Sequence, residues 1–279
     1  MYPGLYPIPF DKRDASYAGT FRGFGQAKVI PFSDNFTVDL KLDIPDQNTT
    51  GYFFSCTGHT QTNNLQDEMG VKLDPIFTYK KTCIMEGHEP DQGCQIRPSL
   101  KSTRVYGVRK ENDDPNIEVT LHKGGKYFNV YDDGGLPWFD AIRDAIRREK
   151  KGVSCGTPWF PTWNTVASHG VLPMPTGLEL ETARKRPNSL LWHNYSCKGW
   201  KTINGKPYLR IKPWLGKNYG DDGWLYMSRE VANEVFELRG SGVFIQSYAK
   251  PEDIVQIKID ILQTVINYLY RIIGLQRLN

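Results

Sequence analysis

The spacing of apolar and polar positions divides the chain into an aperiodic front, a helical middle, a strand-rich second half and a periodic tail. Residues 1–45 are rich in Pro, Gly, Phe and Tyr and show little periodicity, which predicts an extended arm on a surface rather than an independent fold. In LDPIFTYKKTCIMEG, residues 73–87, Asp74 is placed to N-cap a helix, Pro75 suits its first turn and Gly87 its end. Pro137 to Lys151 reads as an amphipathic helix with Trp138, Ala141, Ile142, Ala145 and Ile146 on one side and Gly152 as its stop. Residues 176–188 read as a polar loop. From Ser189 to Met227, apolar and β-branched residues cluster on either side of Asn204-Gly205, a dipeptide that favours the left-handed turn of a hairpin. The expected order there is strand, hairpin, strand, glycine-punctuated loop and a third strand ending at Met227. Ser228 then caps a helix to about Leu238, and Gly240 to Tyr248 is a last strand.

The tail carries a different signal. Val255, Ile259, Leu262, Ile266, Leu269 and Ile273 recur at alternating spacings of four and three, a heptad seam of coiled-coil type. Lys258, Asp260, Gln263, Asn267 and Arg271 interrupt the segment and argue against a membrane span. Two readings stand: a helix, residues 249–279, that makes the chain a homo-oligomer, and a helix packed on its own domain.

Composition narrows the class. At 279 residues, 39% hydrophobic and 13% aromatic, the chain has enough material for a substantial core. A formal charge of +4, spread along the sequence, gives no argument for a nucleic-acid partner. Five cysteines form no disulfide framework, and none of their spacings matches a familiar zinc motif, so neither metal nor cofactor is expected. Cys83 and Cys94 are free to pair, but nothing requires it. The start, MYPGLYPIPF, has neither a basic nor an uninterrupted apolar segment, so no signal peptide is read and the expected location is cytoplasmic.

The 189–227 stretch also resembles the second half of the papain family of cysteine peptidases. His193 heads the first strand, and Gly199-Trp200, Asn204-Gly205-Lys206, Tyr208, Lys212, Gly216, Gly220, Gly223 and Trp224 follow in the family's order. Upstream, Asp46-Gln47 and Ser55-Cys56-Thr57 resemble the family's segment around its nucleophile; LDPIFTYKKTCIMEG and DQGCQIRPSLKSTRVYGV resemble two helices that follow it, the second ending at Gly107. VSCGTPWF resembles the strand entering the β-rich lobe, with Cys155 in the core. Pro9 to Asp14 and Val38-Asp39-Leu40 resemble the lead-in of bacterial and phage members.

The resemblance implies an α+β, two-lobed papain-like fold over residues 46–248, with Ile76, Phe77, Ile84, Ile96 and Leu100 in the helical lobe's core. It implies peptide hydrolysis with Cys56 as nucleophile, His193 as base and Gln47 as side-chain donor to the oxyanion, acting on a protein or peptide substrate. A thiol at a helix N-terminus beside an imidazolium is the arrangement that yields a thiolate at neutral pH. Because a phage-type branch and an oligomer seam occur together, a component of a phage particle, such as a tail, is a further implication.

Three departures open a second reading. Gln47 stands nine residues before Cys56, a longer spacing than the family's, so NTTGYFF must bulge. Residues 56–69, CTGHTQTNNLQDEM, are polar where the family's central helix is apolar, which predicts that they do not form the buried spine of a tight papain fold but a helix partly exposed or packed against something else; His59 on the face of Cys56 is read as a polar helix residue, with assistance to the thiol as the alternative. The third catalytic position, usually Asn, falls on Pro213, or on Lys212 or Trp214 if shifted by one. With no side-chain polar group and no N–H, Pro213 is expected not to orient His193. The alternative to a peptidase is therefore a catalytically degenerate domain retained for assembly.

Overall fold

The structure, a computed structural model, describes residues 35–38, 45–90, 92–114, 122–130 and 136–249. The seam from Val255 to Ile273 and most of the 1–45 arm lie outside the described residues.

One lobe is helical: α1 (Cys56–Met69), α2 (Pro75–Glu86) and α3 (Ile96–Val105). Asp74 caps α2 by accepting from Ile76 N and Phe77 N at 2.8 and 3.0 Å, and Gly87 closes it in the left-handed region. α1 and α2 approach closely at Gly58, where a Cβ would lie 2.4 Å from Pro75 O and 2.7 Å from Tyr79 Cβ. Glycine is tolerated inside that helix because no larger residue fits the crossing. Ile96 and Leu100 are buried as expected, but Ile84 is 58% exposed. It lies on the outer face of α2, whose buried positions are Pro75, Thr78, Tyr79, Thr82 and Cys83.

The other lobe is built on one antiparallel sheet. Its strands are β1 (Phe36–Thr37), β2 (Gly124–Asn129), β3 (Val153–Pro158), β4 (Trp192–Ile203), β5 (Lys206–Lys212), β6 (Leu225–Ser228) and β7 (Gly242–Tyr248). They run in the order β2-β7-β3-β4-β5-β6, with β1 added to β4. The β4–β5 hairpin turns at Asn204 (φ 48) and Gly205 (φ 74), as their residue types predict. The helices of this lobe are α4 (Trp138–Glu149), α5 (Gly177–Lys185) and α6 (Arg229–Phe236). Their apolar residues, including Phe139, Ile142, Ile146, Val231 and Val235, join Cys155, Tyr195, Cys197, Leu209 and Ile211 in the main core.

Several expectations need correction. Residues 177–185 are helix, not loop: Thr176 and Glu179 form a reciprocal capping box, a T-x-x-E signal visible in the sequence. Strand β2 had no predicted counterpart. The left-handed residue ending α4 is Lys150 (φ 52) rather than Gly152. Gly152 instead makes room, since a Cβ there would lie 2.6 Å from Lys198 Cδ and 2.8 Å from Asn64 Oδ1.

The largest correction concerns α1, which is buried from Cys56 to Asp67 despite its polarity. Partners from other elements satisfy much of its polar face. Thr62 donates to Thr78 on α2 at 2.9 Å, Gln61 to Ser154 on β3 at 2.8 Å, and Gln66 Oε1 accepts from Leu73 N at 3.2 Å. On β4, Ser196 Oγ reaches Asn64 Oδ1 at 3.0 Å, and the fully buried Lys198 ammonium reaches Asn64 Oδ1 at 2.7 Å and Asp67 Oδ2 at 2.6 Å. A buried polar group is costly only when it lacks a partner, so a central helix of Thr, Asn and Gln is stable where two lobes meet it with complementary groups. Among the described residues, no helix is long and apolar enough to cross a membrane.

Candidate active site

Cys56 is the first residue of α1 and His193 the second of β4, opposite Thr157 on β3. α1 packs across β4, and Cys56 shares a buried apolar cluster with Trp192, the residue before His193. Cys56, His193 and Gln47 are all buried. A helix N-terminus is the kind of position at which nucleophilic cysteines sit.

Pro213 meets His193 through its main chain. The ring Nε2 lies 2.6 Å from the Pro213 carbonyl oxygen. A carbonyl only accepts, so Nε2 carries the proton, and the Nδ1 lone pair is left buried with no hydrogen-bond partner. The expectation that proline cannot orient the imidazole is therefore corrected. It considered the N–H and the side chain, whereas the orienting group is the carbonyl that every residue has. Trp159 packs its ring edge-on against His193 with centroids 4.8 Å apart, and Tyr195 stacks at 6.4 Å.

The Pro213-Trp214 segment ties the whole site together. While the Pro213 carbonyl holds His193, the Trp214 carbonyl accepts from Gln47 N at 3.1 Å. The Trp214 indole donates to Thr60 Oγ1 on α1 at 3.0 Å. Trp214 makes these contacts from the left-handed region (φ 62), a costly conformation for a bulky residue that persists where surrounding contacts dictate it.

Gln47 begins a short 3-10 turn, Gln47–Thr49, capped by Asp46, which accepts from Asn48 N at 2.9 Å. Its amide Nε2 donates to Phe53 O at 3.3 Å, so NTTGYFF does bulge and folds back onto the glutamine. One amide hydrogen remains for another acceptor.

His59 is more than a polar helix residue. It is fully buried, with Nδ1 3.0 Å from Ser55 O and 3.2 Å from Ser55 Oγ. It thereby braces the turn that precedes Cys56. Burial pushes His59 down to about 4, against the opposing pull of the Ser55 carbonyl. Burial likewise pushes His193 down to about 4, opposed by the Pro213 carbonyl and assisted by repulsion from His59. Burial thus favours the neutral form of both rings.

Sequence reasoning missed the roles of Trp214, Trp159 and His59. Trp214 was reached only as a one-residue shift from Pro213. Neither a carbonyl contact nor a ring-edge contact leaves a sequence signature.

No protein-family model and no curated protein sequence matches the chain. Solved structures do. Xylellain, a cysteine protease from Xylella fastidiosa, superposes with a TM-score of 0.66 at 18% identity over 89% of this chain and 96% of its own. Procathepsin B S9 from Trypanosoma congolense gives 0.61 at 11% identity, over 88% of this chain and 86% of its own. Bromelain from Ananas comosus, in complex with the E64 inhibitor, gives 0.55 at 13% identity, over 77% of this chain and 99% of its own. The protein has the papain-like fold, a helical lobe and an antiparallel sheet lobe meeting along α1. Its structural neighbours are cysteine proteases at low sequence identity.

Proposed function

We propose that the protein is a papain-like cysteine peptidase in which Cys56 attacks a peptide carbonyl. His193 Nδ1 takes the thiol proton and passes it to the leaving amine. The Cys56 N–H and the spare Gln47 amide hydrogen stabilise the oxyanion, and water then hydrolyses the thioester. The observation that supports this reading best is the fixed tautomer of His193. Its Nε2–H is committed to Pro213, which leaves a buried, unpaired lone pair on Nδ1 as a ready base. Xylellain, which shares the fold, is a cysteine protease by name. Because Cys56 and His193 are shielded from solvent, turnover requires the site to open to substrate.

The second reading, a degenerate domain retained for assembly, draws on that same burial, which keeps His193 neutral and Cys56 out of contact with solvent. A homo-oligomer built on the 255–273 seam and a place in a phage particle belong to either reading and rest on sequence alone.

The rate at which an epoxide or haloacetamide alkylates Cys56, followed from pH 5 to 9 in wild type and His193→Ala, separates the two. Rapid labelling near neutrality that collapses in the variant supports the peptidase. Labelling that follows an ordinary thiol, or none, in wild type sinks it.

A further inference from the structure

A cluster of soft ligands lies in the helical lobe at the end of α2, apart from Cys56 and His193. Cys83 Sγ and Cys94 Sγ are free thiols 3.5 Å apart, both buried. His88 Nε2 lies 4.0 Å from Cys94 Sγ, and the ligand atoms of Cys83, His88 and Cys94 all fall within 4.8 Å of one another. Glu86 Oε2 is 3.7 Å from the same His88 nitrogen. Around a tetrahedral zinc ion, two thiolates at about 2.3 Å lie about 3.8 Å apart, and a thiolate and an imidazole about 3.5 Å apart. Cys83, His88 and Cys94 therefore need only small adjustments to hold one ion, and Glu86, beside the His88 nitrogen, is the carboxylate at hand for a fourth position.

The histidine is already set for this role. His88 Nδ1 lies 2.8 Å from the Glu89 carbonyl oxygen, which only accepts, so Nδ1 carries a proton and Nε2 is the ring nitrogen left to face the thiols. Metal-binding histidines are commonly oriented by such a bond on the far nitrogen. The backbone delivers the ring: Gly87 turns at φ 78, and His88 N donates back to Cys83 O at 3.1 Å, which folds the residue after the helix over its last turn. Glu86 is anchored from the other side, its carboxylate accepting from Gln95 N at 3.2 Å, next to Cys94.

We propose that Cys83, Glu86, His88 and Cys94 form a structural zinc site. The spacing C-x2-E-x-H-x5-C belongs to no familiar finger, which is why the cysteine pattern alone did not reveal it. Two thiolates and an imidazole favour zinc over hard divalent cations, and four protein donors leave no open position for catalysis. The ion clamps the end of α2 to the lead-in of α3. It sits beneath the segment before the nucleophile, because Tyr52 and Phe54 pack on the cluster formed by Tyr79, Cys83 and Cys94.

The test is titration of the reduced full-length chain with Co2+, then Zn2+, without oxygen. One cobalt per chain is expected, with a thiolate-to-cobalt charge-transfer band and the strong visible bands of four-coordination, all displaced by zinc. Cys56→Ser keeps these signals, whereas Cys83→Ser and Cys94→Ser lose them. X-ray absorption of the wild-type zinc protein, with two sulfur and two nitrogen or oxygen neighbours, decides the matter even if those variants misfold. His88→Ala, changing a partly exposed side chain, removes the imidazole scattering. The proposal is overturned if the reduced wild type binds no metal, if the bands survive loss of Cys83 or Cys94, or if they vanish in Cys56→Ser. It is equally overturned if the protein isolates with a Cys83–Cys94 disulfide and, once reduced, still fails to take up cobalt.

Discussion

Asp67→Asn tests whether the polar spine of this fold is held by electrostatics. The Lys198 side chain is 0% exposed and that of Asp67 6%, with 2.6 Å between Nζ and Oδ2, so the substitution leaves a buried ammonium without its counter-charge. Breaking such a pair costs about 3–5 kcal/mol, far more than an exposed salt bridge contributes. Lys198→Met in the wild-type background strands the carboxylate and is expected to cost a similar amount. The double variant removes both charges and should recover about 2 kcal/mol or more of the summed losses. A pH dependence distinguishes this from a packing defect. Burial lowers Lys198 below its ordinary 10.5 and Asp67 opposes that shift, so removing Asp67 lowers it further. A folded-state value below the unfolded one means the unfolded chain binds more protons, so the deficit of Asp67→Asn shrinks as pH rises toward 10.5. Guanidinium unfolding followed by fluorescence of the seven tryptophans measures all three variants. A single-variant loss under about 1 kcal/mol, or a double variant equal to the sum of the singles, refutes the reasoning.

The remaining predictions concern the site and its frame. His59 and His193, both lowered from 6.5 to about 4, contribute stability that is complete above pH 6.5 and lost as pH falls through about 4, at most about 3 kcal/mol each. Acid unfolding curves should therefore flatten in His59→Gln, and an unchanged slope between pH 6.5 and 4 counts against the buried neutral assignment. Gly152→Ala forces a methyl against Lys198 and Asn64 and is expected to cost about 1–3 kcal/mol, read as a lower unfolding midpoint. Thr176→Ala removes the cap of α5 and should cost about 1 kcal/mol; Glu179→Ala, which also frees Thr162 N and Oγ1, should cost at least as much.

Local chemistry determined much of the architecture before any tertiary contact formed. Asp74, Pro75 and Gly87 bound α2, Asn204-Gly205 turns the hairpin, and Ser228 caps α6, accepting from Val231 N at 3.2 Å; each signal lies within a few residues of the structure it specifies. The order of motifs around Cys56 and His193 was equally legible and led to the papain-like fold. Tertiary structure decided what depends on partners distant in sequence. α1 looked too polar to be buried because Ser154, Ser196 and Lys198, which pair with Gln61, Asn64 and Asp67 on it, lie on strands far along the chain. Pro213 looked unable to hold an imidazole because the group that does so is a backbone carbonyl, present at every residue and aimed at His193 only once β4 and the turn after β5 are in place. Cys83, Glu86, His88 and Cys94 converge for a related reason. A left-handed turn at Gly87 brings Cys83, His88 and Cys94 within reach of one another with Glu86 beside them, and sequence distance does not encode that convergence.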